Sequence, residues 1–294
     1  MKVAIYGQYY QNSTEPIIRD IFVFFNKNNV DLVIQDDFLA ILHQKEIIKK
    51  EYNTFHDYND LDRNIDILVS IGGDGTILRA ATLVRDSGIP ILGINAGRLG
   101  FLATVQKENI DELMQYIIDK NYSLSPRTLL SLESTESIPE IERLNFAMNE
   151  ISINRKDTTS MITVETYLNG EYLNAYWADG LIISTPTGST GYSLSCGGPI
   201  LMPAVESFVI TPIAPHNLNA RPFVIPDNVE IKLKVSGREE HYLVSLDSRV
   251  ASMSNNAILT IKKTPFQINM VELPEKSFLK TLRTKLLWGE DKRN

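Results

Sequence analysis

Two periodicities divide the chain. Through the first 125 residues, short apolar runs alternate with longer stretches in which apolar positions recur every three or four residues. KVAIYG (2–7), DILVSIGG (66–73) and IPILGIN (89–95) are rich in Ile, Val and Leu and of strand length, so they predict buried strands. EPIIRDIFVFFNK and TILRAATLVRD carry helical spacing, and ENIDELMQYIID sets Ile110, Leu113, Met114 and Ile117 on one helical face. Strands alternating with helices predict a parallel sheet covered by helices.

Beyond residue 125 the period drops to two. MITVETYLNGEYLNAYW is a pair of strand-like runs around Asn169-Gly170, a strong hairpin signal. VEIKLKVSGREEHYLVSL repeats the pattern around Ser236-Gly237, with Val229, Ile231, Leu233 and Val235 alternating with polar residues. AILTIKK and FQINMVEL extend it. Last, EKSFLKTLRTKLLWG spaces Phe278, Leu279, Leu282 and Leu286 as a helix, with Ser277 as cap and Gly289 as stop. A lone terminal helix must bury its apolar stripe, and the first domain is the expected surface. The expected fold class is therefore α/β plus all-β. An N-terminal parallel-sheet α/β domain spans 1–125, with 275–294 returning to it, and a β-rich domain spans 126–274.

Composition narrows the function. A length of 294 residues suits two domains, and 43% hydrophobic with 22% charged residues is ordinary for a globular chain. The net charge of −7 argues against a nucleic-acid partner, whose phosphates demand a basic face. Cys196 is the single cysteine, so no internal disulfide forms, which fits a reducing compartment. MKVAIYGQYY is too short an apolar burst for a signal sequence, and no run approaches the ~18 apolar residues of a membrane span. A soluble cytoplasmic protein without a membrane partner is expected. His43, His56, His216 and His241 are scattered without zinc-site spacing.

SIGGDGTIL (70–78) places Gly72, Gly73 and Gly75 around Asp74, between a predicted strand and a predicted helix. Ligands of parallel α/β sheets bind beyond the carboxyl ends of strands. Residues without Cβ let N–H groups approach phosphate oxygens, and the helix start adds partial positive charge. Asp74, itself anionic, needs a different task there. It can accept the proton of an attacking hydroxyl, or hold Mg2+ carried by the phosphates. The plain alternative is a tight turn with a helix-capping Asp. The P-loop pattern G-x-x-x-x-G-K-[ST] is absent, and GINAGRLG (93–100) misses the G-x-G-x-x-G spacing.

A second block, DGLIISTPTGSTGYSLSCGGP (179–199), gathers Thr185, Thr187, Ser189, Thr190, Ser193 and Ser195 among Gly188, Gly191, Gly197 and Gly198. Small donors on an adaptable backbone suit phosphate, ribose and adenine edges. A solvated loop is the bland alternative, against which stands the apolar LIIS that feeds the block. GSTG lacks the G-x-S-x-G elbow of a serine hydrolase.

Three motifs in order, GGDG (72–75), NE (149–150, within AMNEISI) and the block 179–199, resemble the NAD kinase family. These ATP-dependent enzymes phosphorylate NAD on the adenosine 2′-hydroxyl to give NADP. The resemblance spans nearly the whole chain, terminal helix included; GGDG alone is shared with phosphofructokinases and with diacylglycerol and sphingosine kinases. It implies that Asp74 accepts the 2′-hydroxyl proton, with Gly72, Gly73 and Gly75 beside the substrate and Arg79 meeting nucleotide phosphate. It implies that Asn149 and Glu150 bind the adenine and ribose portions of NAD. Asp179 and Thr190, Gly191, Tyr192, Ser193, Leu194 and Ser195 would hold the adenosine and nicotinamide ends, Tyr192 by stacking, and Ala214 would line the site. The resemblance further implies NAD and ATP as substrates, Mg2+ or another divalent cation carried by the phosphates rather than by a protein-only site, and a homo-oligomer, dimer or tetramer. Many family members carry a basic residue two positions before the Asp of the second block, where it can meet the product's 2′-phosphate. Trp177 stands there in this chain, so the hold on NADP and its inhibition are where this chain is expected to depart. Cys196 falls where a small residue is usual and reads as packing. Two other readings remain: a lipid kinase sharing GGDG, against which stands the lack of a basic amphipathic segment, and a non-catalytic NAD(P) sensor, which would have no use for Asp74.

Overall fold

The computed structural model describes residues 1–9, 14–95, 97, 99–103, 110–157, 160–274 and 277–289. The chain divides into two compact units, Met1–Pro126 with Ile268–Asn294, and Arg127–Gln267.

The first unit is built on a seven-stranded sheet in the order Asn53–Phe55, Asp31–Gln35, Lys2–Gly7, Ile67–Gly72, Ile91–Asn95, Ile268–Glu272, Ser123–Arg127. Neighbours from Asn53–Phe55 through Ile268–Glu272 pair parallel. Apart from Lys2 the central strands are buried along their whole length, which is why they read as nearly unbroken apolar runs. Helix Glu15–Lys27 buries Ile17, Ile18, Ile21, Phe22, Phe24 and Phe25. Helix Ile110–Ile118 buries the four residues of its predicted face, and both helices share a core with Val3, Ile5, Ile67 and Val69. Each such aliphatic side chain contributes about 1.5–3 kcal/mol on burial. Over 28–65 the sequence reading assigns no element, yet strands Asp31–Gln35 and Asn53–Phe55 and helix Asp36–Gln44 form there. They are short, and the helix is capped by a residue outside the usual set: the Gln35 side chain accepts from Phe38 N at 2.9 Å.

The order of strands has a functional consequence. The chain first builds outward on one side of Lys2–Gly7, then places Ile67–Gly72 on its other side. Parallel sheets take ligands at such a reversal, beyond the carboxyl ends of the two strands. Gln8 N donates to Ile71 O at 3.0 Å there, and Thr76 Oγ1 donates to Gln8 Oε1 at 3.2 Å.

The second unit holds two six-stranded sheets whose neighbours pair antiparallel. One runs Glu171–Ala178, Ile162–Leu168, Ile231–Gly237, Ile258–Lys263, Leu130–Ser134, Phe146–Ala147; the other runs Phe223–Pro226, Ser207–Ile213, Gly180–Ser184, Glu150–Arg155, His241–Leu246, Arg249–Ser254. Inward residues of both, such as Val164, Leu233 and Ile261 against Ile153, Phe208 and Tyr242, form one core. The hairpin at Asn169-Gly170 has φ of 50° and 86°, the left-handed pair that a two-residue turn requires.

Two expectations are corrected. Ser236-Gly237 is not a hairpin turn. Both residues are still in the ladder, opposite Thr163 and Ile162, and the chain then crosses to the other sheet before His241–Leu246. Neither has the positive φ of a tight hairpin, so the alternating pattern was right and the pairing wrong. The β-rich domain also does not extend to 274. Ile268–Glu272 joins the first unit's sheet, with Met270 opposite Ile91, and its Ile268, Met270 and Val271 are all buried, a parallel-strand pattern and not an alternating one. The terminal helix, Phe278–Leu286, belongs to the first unit. Ser277 caps it through Lys280 N at 3.2 Å, Leu282 is buried, and Lys285 lies 5.5 Å from the Phe101 ring centroid. It ends at Leu287 in left-handed conformation (φ 56°), two residues before Gly289.

Candidate active site

Strand Ile67–Gly72 delivers the glycines to the ligand end of the sheet, and helix Asp74–Val84 starts immediately after. Gly72 has φ 156°, and a Cβ there would stand 2.2 Å from Thr76 Oγ1, so the fold itself requires it. At Gly73 and Gly75 a Cβ would meet no heavy atom within 4 Å. No described residue demands glycine at those two positions; the open space beside the first-turn N–H groups is what an anionic ligand needs.

Asp74 is tethered within its own unit. Its Oδ2 accepts from Phe101 N at 2.8 Å, and its Oδ1 accepts from Leu102 N and Ala103 N at 3.0 Å each. A carboxylate offers about four lone-pair sites, so three N–H bonds fix its orientation and leave one site on Oδ2 for a hydroxyl. The approach is close enough to require Gly100, where a Cβ would stand 1.9 Å from Asp74 Oδ1. Gly100 and the main chain of 101–103 are parts of the site that sequence reading missed; GRLG followed by an apolar pair was their only trace. Arg79 is exposed on the same helix, five residues on and so about 140° around the axis from Asp74.

In the second unit, Asn149 and Glu150 enter strand Glu150–Arg155, next to Gly180–Ser184, which runs into the hydroxyl-rich block. Thr185 ties the two together: its N donates to Asn149 O (2.9 Å) and its Oγ1 to Met148 O (2.6 Å). Gly188 packs on the main chain of Asn149, where a Cβ would meet the carbonyl oxygen at 2.1 Å. Asn149 Oδ1 and Glu150 Oε2 are buried and have no partner among the described residues. Buried polar atoms without partners are rare in native folds, and two together on adjacent residues point to a polar ligand. Burial, followed by the negative charge of Asp247, pushes the Glu150 carboxyl up to about 8, against the N–H of Tyr192 that stabilises its anion. Tyr192, exposed, lies within electrostatic reach of Asp179 and Glu150, and Asp179 pairs with Arg155 at 3.1 Å where the chain crosses between sheets.

The block does not act as one donor surface. Thr185, Ser189 and Ser193 are fully buried; Ser189 Oγ donates to Pro186 O (2.6 Å), and Ser193 Oγ shares a hydrogen bond with Thr211 Oγ1 (2.8 Å). The Ser193 hydroxyl thus ties the short helix Tyr192–Ser195 to strand Ser207–Ile213. Thr190 bonds Thr187 O at 3.1 Å; Gly191 and Leu194 are half-buried, and Ser195 is exposed. Ala214 is exposed with φ 43°, directly after Ile213, the partner of Gly180. Trp177 is exposed and packs against His216 with ring centroids 4.3 Å apart and planes tilted by 52°, both held by the main chain of 177. Burial pushes the Cys196 thiol up, in keeping with a packing role. Among the described residues, the one grouping of three carboxylate or imidazole ligand atoms within 4.8 Å is Asp36, Asp37 and His56, in which Asp36 and His56 are already paired at 2.8 Å.

An anion cradle with an oriented carboxylate beside it belongs to a protein that moves a phosphoryl group, and the two-unit construction is that of a nucleotide-using kinase. Two family models divide the chain in sequence order: the ATP-NAD kinase N-terminal domain matches residues 5–122, and the ATP-NAD kinase C-terminal domain matches residues 148–273, a span that includes strand Ile268–Glu272 of the first unit's sheet. The chain belongs to the NAD kinase family. It is 70% identical to an NAD kinase of Flavobacterium psychrophilum over 294 residues, the whole of both chains. It is similar in fold to an NAD kinase from Archaeoglobus fulgidus in complex with ATP, with TM-score 0.72 and 26% identity over 98% of this chain and 99% of that one. Yeast NADH kinase complexed with NADH shares the fold, with TM-score 0.85 and 23% identity over 99% of this chain and 89% of that one.

Proposed function

We propose that the chain transfers the γ-phosphoryl group of ATP to the 2′-hydroxyl of the adenosine ribose of NAD, and that Asp74 accepts the hydroxyl proton. The observation that carries this reading is the tether of Asp74: three N–H bonds aim its carboxylate and leave one lone-pair site beside Gly73 and Gly75, whose Cβ space no described residue fills. A carboxylate so placed orients the hydroxyl and takes its proton late, in a loose transition state that needs little prior deprotonation. The N–H groups of 73–75 would receive donor phosphate, with Arg79 adding charge, and the divalent cation enters with ATP and neutralises charge on its phosphates. The partnerless oxygens of Asn149 and Glu150 would be satisfied by the adenine and ribose portions of NAD, with Asp179, Thr190, Gly191, Tyr192, Leu194, Ser195 and Ala214 around them. Ser193 would act through the scaffold.

No described helix is long and apolar enough to cross a membrane. Exposed Phe223 and Val224 on the outer strand Phe223–Pro226 support a homo-oligomer, dimer or tetramer, because uncovered strand edges invite pairing. A cytoplasmic enzyme without nucleic-acid or membrane partners completes the reading.

The test is a coupled assay with NAD, ATP and Mg2+ that reads NADP, with NADH and diacylglycerol as parallel acceptors. NADP formation is expected. Tight NAD binding by calorimetry without phosphoryl transfer from any donor would instead make the chain a sensor. Gly100→Ala adds a sharper check. Its methyl must displace the Asp74 carboxylate, and a misplacement of about 1 Å costs about 10²-fold in kcat. Steady-state kinetics at unchanged melting temperature reads it, and wild-type kcat would show the close approach to be irrelevant.

A further inference from the structure

We propose that Asp247 is a positioning residue for NAD, its carboxylate clamping the main chain of 148–150 so that the Asn149 and Glu150 side chains face one ligand. The inference rests on the NAD reading of those two residues. Asp247 sits in the tight turn between strands His241–Leu246 and Arg249–Ser254, with φ 54°. Its Oδ2 accepts from Met148 N at 3.0 Å, and its Oδ1 accepts from Asn149 N at 2.8 Å and Glu150 N at 3.2 Å. In return its own N donates to Glu150 O at 3.0 Å. Four hydrogen bonds thus run between one turn residue and three consecutive residues nearly a hundred positions earlier. The side chain is only 5% exposed, so no water competes for it.

A structural staple could be made of neutral groups; this one carries charge beside a second carboxyl. The groups facing Glu150 are Asp247 from the turn and Tyr192 from the short helix, whose N–H bonds the Glu150 carboxylate. Tyr192 in turn faces Asp179 and Cys196, and Asp179 is paired with Arg155. Asp247 faces Arg249 at 3.8 Å, and the Arg249 guanidinium is fixed by the carbonyl oxygens of Leu144 and Phe146. Burial raises both carboxyls, but Asp247 has three N–H donors and Arg249 to stabilise its anion while Glu150 has one N–H. Of the two, Glu150 holds the proton. Asp247 therefore sets the direction of the Asn149-Glu150 pair and, second to burial, raises the pH at which Glu150 becomes the anion that accepts ribose hydroxyls. NAD binding is expected to strengthen as pH rises through that value.

Asp247→Asn and Asp247→Ala in the full chain separate the two effects. Kinetics from pH 6 to 9.5 give kcat and the KM of each substrate. Asp247→Ala leaves three buried N–H groups without partners and should raise KM for NAD about tenfold or more, with KM for ATP little changed. Asp247→Asn keeps an acceptor oxygen but removes the charge, so the acid limb of the NAD KM profile should move down by about one pH unit. An Asp247→Asn limb that stays where the wild type has it overturns the inference, as does an Asp247→Ala loss shared equally between NAD and ATP. If Asp247→Ala does not melt cooperatively, the Asp247→Asn profile decides alone. Wild-type protein that makes no NADP would sink the functional reading instead, which keeps the two failures apart.

Discussion

Asp74→Asn should lower kcat by about 10²–10⁴-fold while KM for NAD stays within a few-fold of the wild type. The amide is nearly isosteric, so its Oδ1 can still accept from Leu102 and Ala103, whereas its Nδ2 meets the N–H of Phe101, donor to donor. More important, it cannot take a proton. The expected pattern is a fall in kcat and in kcat/KM together, the signature of an interaction made in the transition state. Circular dichroism and a melting curve distinguish this from collapse of the 101–103 segment. An Asp74→Asn enzyme that is folded and fully active would remove the carboxylate from the mechanism, and the glycine turn would then be only a phosphate cradle.

Glu150→Gln should raise stability in alkaline solution even as it weakens NAD binding. The carboxyl has a folded-state pKa of about 8 against 4.5 for the free group. Between those values the folded chain holds a proton that the unfolded chain has released, so stability falls as pH rises through this window and levels off above it. Below about 4.5 both states are protonated and the group is neutral in its effect. With partial solvent access discounted, the loss at pH 8–9 is about 2–4 kcal/mol, or roughly 5 °C or more in Tm. Glutamine stays neutral throughout and escapes it. Melting curves of both proteins from pH 4.5 to 9 should converge at the acid end and separate at the alkaline end; curves that run parallel would show that Glu150 does not keep its proton. The combination, more stable and less able to bind, is the mark of a residue placed for function at a cost to the fold.

The fold was legible where one force dominated. Strand Lys2–Gly7 and helix Glu15–Lys27 have the bounds their apolar spacing predicts, because both are buried along an entire face or length. Asn169-Gly170 was legible because left-handed φ values narrow the choice of residue to a few. Pairing was not legible. The strands flanking 238–240 alternate cleanly whether they pair with each other or with Ile162–Leu168 and Glu150–Arg155, since alternation records which face is buried and not which neighbour is adjacent. In the candidate site, motif residues carried most of the reading: Asp74, Asn149, Glu150 and Asp179 all have charges or polar atoms in a deliberate setting. The helpers were hidden. Gly100 matters only through distance to a residue 26 positions earlier, and Asp247 only through main-chain N–H groups that any sequence possesses. Ser193 shows the converse limit: its hydroxyl was legible as a polar group, but its bond to Thr211 was not.

The insertion of Ile268–Glu272 between Ile91–Asn95 and Ser123–Arg127 has a consequence for biosynthesis. When the first five strands have been made they form one side of the sheet with a raw edge at Ile91–Asn95, and the strand that closes it is still untranslated. The nascent amino-terminal half must wait through the synthesis of some 140 further residues, seconds at ordinary elongation rates, with an apolar edge open to mispairing or to chaperones. The first unit's sheet is thus closed late, only after the β-rich unit has been made.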